Sequence, residues 1–372
     1  MNQQKLYQWA SELLKRLPCL SKWQAIGLAI FSIGVIEAES CVLDRVAEHL
    51  PTQVRLESVE RRLRRWLANK HLDVAVCCGW WIRWVVSVWE GEWVLLVDET
   101  KLSNHLRVMM VGLAYGERCI PLVWWCYPKK GYPLGGQVAL ISALLDRVLP
   151  ALPEGCRPVI QADRGLATSP ALLHALNTRH LRFLVRVQKS VHLLTFGGRE
   201  HVLRDLVKRG ESWSGCGYVF KKQRQKAQGA SLRLYVHVCW QWDQTDLWCL
   251  LTNDPTLAAE AYALRAWQEQ AFRDLKSGGF QWQRSQVWTP AHADRLLLVL
   301  AIAYAWLLSL ATLAPVPPGL AYARASRRSR PPRSLLRYAL RFWRQLAATS
   351  TLFTQLFFAF DPRPERLCSL LY

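Results

Sequence analysis

Acidic residues are scarce in this chain of 372 residues, with 28 Asp and Glu against 48 Lys and Arg. The resulting formal charge of +20 and pI near 9.8 exclude a charge-balanced surface and call for a polyanionic partner, nucleic acid before an anionic membrane. No C-x-x-C pair occurs among the 11 cysteines, and the adjacent Cys77 and Cys78 sit in an apolar run rather than at ligand spacing. Zinc frameworks are thereby disfavoured, and the odd, scattered count excludes a disulfide scaffold. Such cysteines fit a reducing compartment, so a cytoplasmic, nucleoid-associated location is expected. The N-terminus MNQQKLYQWASELLKRL lacks a basic-then-apolar signal, so export is not expected.

What is there is a folded chain, 51% hydrophobic and long enough for two or three domains. Residues 1–90 read as an all-α domain with helices at Leu6–Leu17, Trp23–Glu39, Cys41–Leu50, Ser58–Ala68 and Val74–Trp89. Ser58 is the expected N-cap of the fourth. That helix carries Arg61, Arg62, Arg64 and Arg65 around Leu63 and Trp66 and follows VLDRVAEHLP through a Pro-containing turn, a helix-turn-helix-like arrangement for contacting DNA. The run Leu296–Ala314 has the length and apolarity of a membrane span, and the default reading is a fully buried core helix.

The pattern changes at Trp93. WVLLVD is a continuous apolar run ending in Asp98, as expected of a strand buried on both faces. His105–Ala114 and Arg118–Tyr127 follow as strands of an antiparallel meander around the turn Tyr115–Glu117. A helix at Gly136–Leu149 leads to RPVIQADRG, a second buried strand ending in Asp163, then to a helix at Ser169–Asn177 and a strand at Leu181–Val187. Residues 190–254 break into short β segments around the basic turn KKQRQKAQG, interleaving Trp213, Trp240, Trp242 and Trp248 with Lys221, Lys222, Arg224 and Lys226. Aromatics among cations suit base stacking and phosphate neutralisation, although most of these tryptophans belong to a core. Residues 255–314 resume helical patterning, and residues 315–372 form an Arg- and Pro-rich linker with a helical tail. Arg337, Arg341 and Arg344 share one face of that tail.

The chemistry concentrates in YALRAWQEQAFRDLK, Tyr262–Lys276. At about 100° per residue, Tyr262, Arg265, Glu269 and Lys276 fall within a sector roughly 60° wide, opposite Leu264, Trp267, Ala271 and Leu275. One carboxylate among a guanidinium, an ammonium and a phenol suits a site that holds a metal and a polyanion together. A solvated helix face is the alternative for the stripe taken alone. Two strand ends in Asp plus Glu269 supply three carboxylates and no His or Cys, a donor set for a hard cation such as Mg²⁺ or Mn²⁺.

Filled by these four residues, Y-x2-R-x3-E-x6-K resembles the signature of the insertion-sequence-four family of DDE transposases, and LLVDET and QADRG resemble its first two acidic motifs. The resemblance covers roughly Asp44 to Leu310. It implies an α/β ribonuclease-H-like core, a mixed sheet flanked by helices, spanning 91–189 and 255–314 with the β-rich insertion between, behind the all-α N-terminal domain and before the helical C-terminal tail. It further implies catalytic and metal-binding Asp98, Asp163 and Glu269, two Mg²⁺ or Mn²⁺ ions per site, DNA contacts by Tyr262, Arg265, Lys276 and Arg164, and a homodimer on double-stranded DNA with no membrane. Ala266 stands where many members carry an aromatic, leaving Trp267 as its neighbour. Glu99 follows the first acid, but strand alternation turns it to the other face. A ribonuclease-H-like nuclease or resolvase, and a catalytically idle transposase-derived DNA-binding protein, share these features.

Overall fold

The computed structural model describes residues 3–50, 54–167, 170–220, 232–313, 335–348 and 360. The head consists of α1 (Gln3–Arg16), α2 (Lys22–Ala38), α3 (Leu43–Glu48), α4 (Leu56–Leu67) and α5 (Val74–Ser87). A capping box starts α2: Ser21 Oγ accepts from the Gln24 amide and the Gln24 side chain accepts from the Ser21 amide. α4 begins at Leu56 behind Arg55, so Ser58 lies inside the first turn instead of capping it. Glu57 in that turn meets the positive helix end. Val59, Leu63, Trp66 and Leu67 set the phase by facing inward, which leaves Arg61, Arg62, Arg64 and Arg65 exposed. Trp66 lies on Gly27 of α2, where a Cβ would come within 2.3 Å of the indole, and its Nε1 donates to the Gln24 carbonyl.

β1 (Val94–Lys101), β2 (Leu106–Tyr115) and β3 (Arg118–Pro128) form the expected antiparallel meander. β1 runs three residues past Asp98, because Glu99 to Lys101 keep pairing with Met109 to Arg107 on β2. After α6 (Gly136–Val148), β4 (Val159–Ala162) joins parallel to β1, and after α7 (Pro170–Thr178), β5 (Arg182–Arg186) joins parallel to β4. Residues 190–254 supply β6 (His192–Thr195), β7 (Glu200–Val202), β8 (Ser212–Val219), β9 (Leu232–Cys239) and β10 (Trp248–Thr252). β10 pairs antiparallel with β5, so this stretch extends the same sheet to ten strands in the order β3-β2-β1-β4-β5-β10-β9-β8-β6-β7. Lys221, Lys222, Arg224 and Lys226 lie outside the described residues.

The segment carrying the polar stripe is not one α-helix. A 3₁₀ turn (Ala259–Arg265), α8 (Ala266–Arg273) and a π turn (Asp274–Gly278) follow one another without a break. Beyond it, α9 (Pro290–Leu313) has the length and apolarity to cross a membrane, yet its most apolar window is wholly buried inside the protein. The head helices α2, α4 and α5, strand β3 and the tail helix α10 (Leu335–Ala348) all pack against it. One continuous apolar core therefore joins head, sheet and tail. Trp306 of α9 meets Trp343 of α10 edge-on at 4.8 Å, and Trp343 Nε1 donates to Glu37 of α2. Phe360, from the apolar TLFTQLFFAF run, is buried against Trp89 and Tyr115. The rest of that run and the linker at 315–332 lie outside the described residues.

Candidate active site

Register brings the first two acids together. Val97 of β1 pairs with Ala162 of β4, so Asp98 and Asp163 stand one step further along adjacent parallel strands, about 4.8 Å apart in backbone and with the same facing. Each carboxylate accepts the amide that follows it: Glu99 N–H donates to Asp98 Oδ1 at 2.8 Å and Arg164 N–H to Asp163 Oδ1 at 2.7 Å. Glu99 turns the other way, to Arg107 at 2.7 Å and to the Tyr132 hydroxyl, as strand alternation requires.

The third acid comes from the segment after β10, which three side chains dock on the sheet. Gln161 Nε2 donates to the Ala261 carbonyl at 2.8 Å, Gln268 Nε2 to the Met110 carbonyl at 3.1 Å, and the Tyr262 hydroxyl to the Ala162 carbonyl at 3.4 Å. Arg265 then enters the space between the acids. One Nη2 lies 2.8 Å from Asp98 Oδ2 and 3.5 Å from Asp163 Oδ2, while Nη1 pairs with Glu269. Asp98, Asp163 and Glu269 therefore converge on a single guanidinium, with side-chain exposure rising from 13% through 32% to 59%. Burial raises the Asp98 carboxyl to about 6 despite Arg265 and the Glu99 amide. Burial also opposes the charge on Arg265, but Asp98, Asp163, Tyr262 and Glu269 more than offset it. The Nε of Arg265 is buried with no hydrogen-bond partner among the described residues.

Three carboxylates are the right donors for a hard divalent cation, and the place between them is already held by a cation. In this arrangement they are not a metal cage: among the described residues no three His, Cys, Asp or Glu side chains are grouped to hold an ion. Lys276 reaches the same neighbourhood from the π turn, donating to Thr100 Oγ1 two residues beyond Asp98 on β1. Burial lowers its ammonium pKa, with Asp98 opposing.

The stripe is thus not a solvated face, and its members differ in surroundings. Tyr262 packs with Val159, Leu184 and Leu250, 4% exposed and edge-on to Trp248 at 5.3 Å. Burial pushes its phenol well above the ordinary range, and its hydroxyl faces the Ala162 carbonyl at 3.4 Å. Arg164 lies at the surface, bonded to Asp246 at 2.8 Å. Arg61, Arg62, Arg64 and Arg65 belong to the head and form no part of this cluster; Arg64 pairs with Glu60 on its own helix.

Sequence reasoning missed a second ionic cluster below the first. Asp274, the first residue of the π turn, accepts from Arg118 Nε at 2.8 Å and from the Tyr304 hydroxyl at 2.9 Å. Arg118 and Asp274 are 3% and 7% exposed at their side chains. Asp274 sits in the motif and Arg118 heads a strand, but 156 residues separate them and nothing local links them.

An α/β protein whose mixed sheet presents two adjacent strand acids to a helix carrying a third acid, with cations between, defines the class. Comparison with known families gives the same direction: residues 136–306 match the family described as transposase DDE domain. The matched stretch includes Asp163, Arg265, Glu269 and Lys276 and begins after Asp98. It supports a DDE transposase, an enzyme that cleaves and transfers DNA strands. Such a domain implies a ribonuclease-H-like fold, with which this sheet and its helices are consistent, and it implies DNA binding and general use of divalent metal ions. Comparison with characterised proteins finds no significant match.

Proposed function

We propose that this chain is a transposase of the insertion-sequence-four kind, cutting DNA at the ends of a mobile element and joining the freed 3′-OH to target DNA. The observation that carries this reading is the convergence of Asp98, Asp163 and Glu269, from two neighbouring strands and a facing helix, on one cation beside Lys276. The family match to residues 136–306 supports its coarser part, a DDE transposase. The three acids are the proposed ligands of two Mg²⁺ or Mn²⁺ ions, which when bound would supply Lewis-acid stabilisation of the phosphodiester and a more acidic attacking oxygen.

The chain's own residues do the rest. Arg265, which bridges the three acids here, is the proposed partner of a phosphate of the DNA end, which its fork of N–H donors would match, and the three acids would hold the metal. Lys276, fixed on β1 by Thr100, contributes a point charge beside the cut strand. Gln161, Gln268 and Tyr262 hold the segment on the sheet so that Glu269 and Arg265 keep their aim. The arginines of α4 bind backbone phosphates away from the reaction, and two copies on one DNA complex would bring two ends together.

The test uses duplexes taken from the DNA flanking the reading frame. Mg²⁺-dependent strand breaks with free 3′-OH ends, followed by joining of a precut end to a second duplex, are the expected result. Cleavage without joining would leave a nuclease, and DNA binding without either step would leave an idle transposase relative.

A further inference from the structure

Two thiols lie against each other in the head. The Sγ atoms of Cys19 and Cys77 are 3.6 Å apart, although 58 positions separate the residues in the chain. Cys19 is exposed and Cys77 is buried. A disulfide holds its sulfurs at about 2.05 Å, so an approach of roughly 1.5 Å would join this pair.

Both residues are held in place by their surroundings. Cys19 sits in the turn between α1 and α2, flanked by the buried Leu17 and Leu20, and the Leu20 amide donates to the Leu17 carbonyl at 3.0 Å. The capping box at Ser21 fixes the chain just beyond. On the other side, the Cys77 amide donates to the Asp73 carbonyl at 3.0 Å, and Asp73 Oδ1 caps α5 through the amides of Ala75 and Val76.

The pair is uneven. Its mutual hydrogen bond lowers the Cys19 thiol from its ordinary value against the effect of burial, while the same bond, joined by burial, raises the thiol of Cys77. Cys19 is therefore the accessible and more readily ionised partner, suited to attack an oxidant, with Cys77 behind it to resolve the product. Cys78, the next residue of α5, is buried about 100° further round the helix, and burial pushes its thiol up.

The position of the pair gives a bond there a consequence. Helix α5 is fastened to the sheet, where Trp81 Nε1 donates to the Pro121 carbonyl of β3 at 2.7 Å. Joining Cys19 to Cys77 would tie the turn of the first two helices to that anchored helix. The ring so closed contains α2, α3 and α4, and with α4 the arginines Arg61, Arg62, Arg64 and Arg65.

We propose that Cys19 and Cys77 are an oxidation site for a small soluble disulfide of the glutathione type, and that the resulting bond staples the α1–α2 turn to α5. The Cys19 thiolate attacks one sulfur of the small disulfide and releases one small thiol. Cys77, losing its proton, then attacks the Cys19 sulfur of the mixed disulfide and expels the second. Two protein thiols give up two electrons and two protons, and the small disulfide takes them up as two thiols. The site stands apart from the three acids and does not depend on the DNA-cutting reading.

The experiment treats the reduced, folded, full-length protein with oxidised glutathione, blocks the remaining thiols with N-ethylmaleimide in denaturant, and maps peptides by mass spectrometry without reductant. A linked Cys19–Cys77 peptide, two hydrogens lighter than its reduced parts, is expected in wild type and in Cys78→Ser and is expected to be absent from Cys19→Ser. The oxidised wild type should melt about 5 °C above its reduced form, because a ring of this size restricts the unfolded chain. Dithiothreitol should reverse that rise, and Cys19→Ser, altered only at an exposed turn position, should lack it. Recovery of both thiols as maleimide adducts, of Cys19 only as its glutathione adduct, or of Cys19 linked to another cysteine would overturn the site. A linked protein that melts no higher than the reduced one would overturn the staple.

Discussion

Two arginine–carboxylate clusters sit nine residues apart on the segment that follows β10, and they differ in balance. At Asp274 one carboxylate meets one guanidinium, Arg118, and one hydroxyl, Tyr304, all sealed in the core. At Arg265 one guanidinium serves three carboxylates, its own Nε has no hydrogen-bond partner among the described residues, and the cluster opens to solvent through Glu269. A balanced, dry pair fixes architecture, whereas surplus negative charge at an open edge is chemistry held in reserve. Asp274, bonded to Arg118 of β3 and Tyr304 of α9, opens the π turn, a feature often found at functional sites, and from that turn Lys276 donates to Thr100.

This contrast can be broken by mutation. The largest effect belongs to the open cluster: Asp98→Asn or Glu269→Gln should lower strand cleavage by roughly three orders of magnitude, about 4 kcal/mol of barrier, with end binding and melting temperature little changed. Cleavage at wild-type rates by purified Asp98→Asn would remove that residue from the reaction. Next, Asp274→Ala should cost about 3–5 kcal/mol of stability by removing the buried carboxylate that Arg118 and Tyr304 share, read as a large fall in the denaturation midpoint; a small fall would mean that this pair contributes little to the fold.

A smaller effect tests the cation's place among the acids. Arg265→Ala should melt a few degrees lower without metal and gain more from Mn²⁺ than wild type does, because no guanidinium has to be displaced. Equal Mn²⁺ shifts in both proteins would show that Arg265 and metal do not compete. The smallest effect sharpens the comparison with a carboxylate bonded to backbone rather than to a guanidinium. Asp294 of α9 accepts from the Cys126 amide at 2.8 Å, and burial raises its carboxyl to about 6. A raised carboxyl favours the protonated folded state, so its contribution is complete below the unfolded value near 4 and is lost as pH rises through about 6. Asp294→Asn should therefore flatten the fall in stability between pH 4 and 6, and an unchanged slope would assign that fall to other groups.

Much of the site was legible along the chain because its signals are local. An apolar run ending in Asp reads as a buried strand with an exposed end, and Asp98 and Asp163 were found that way; period-3.6 spacing put Arg265 and Glu269 on one side of a helix. Leu296–Ala314 was ambiguous by composition, and only the helices and strand packed around α9 show what surrounds it. Tyr262 lies in the 3₁₀ stretch and packs on Val159, Leu184 and Leu250, contacts with three strands that no local spacing announces.

By itself the sequence determined which residue types were present and where local periodicity would set them: a basic chain, three acids, a polar stripe, strands and helices in their order. The tertiary structure alone decided that β4 joins β1 in the register that pairs the two aspartates, that Tyr262 turns inward, and that Arg265 stands among the carboxylates while Arg118 neutralises Asp274. Periodicity is a property of a few neighbouring residues, whereas an ion pair across 156 positions depends on how sheet and helices pack, and no stretch of sequence contains that information.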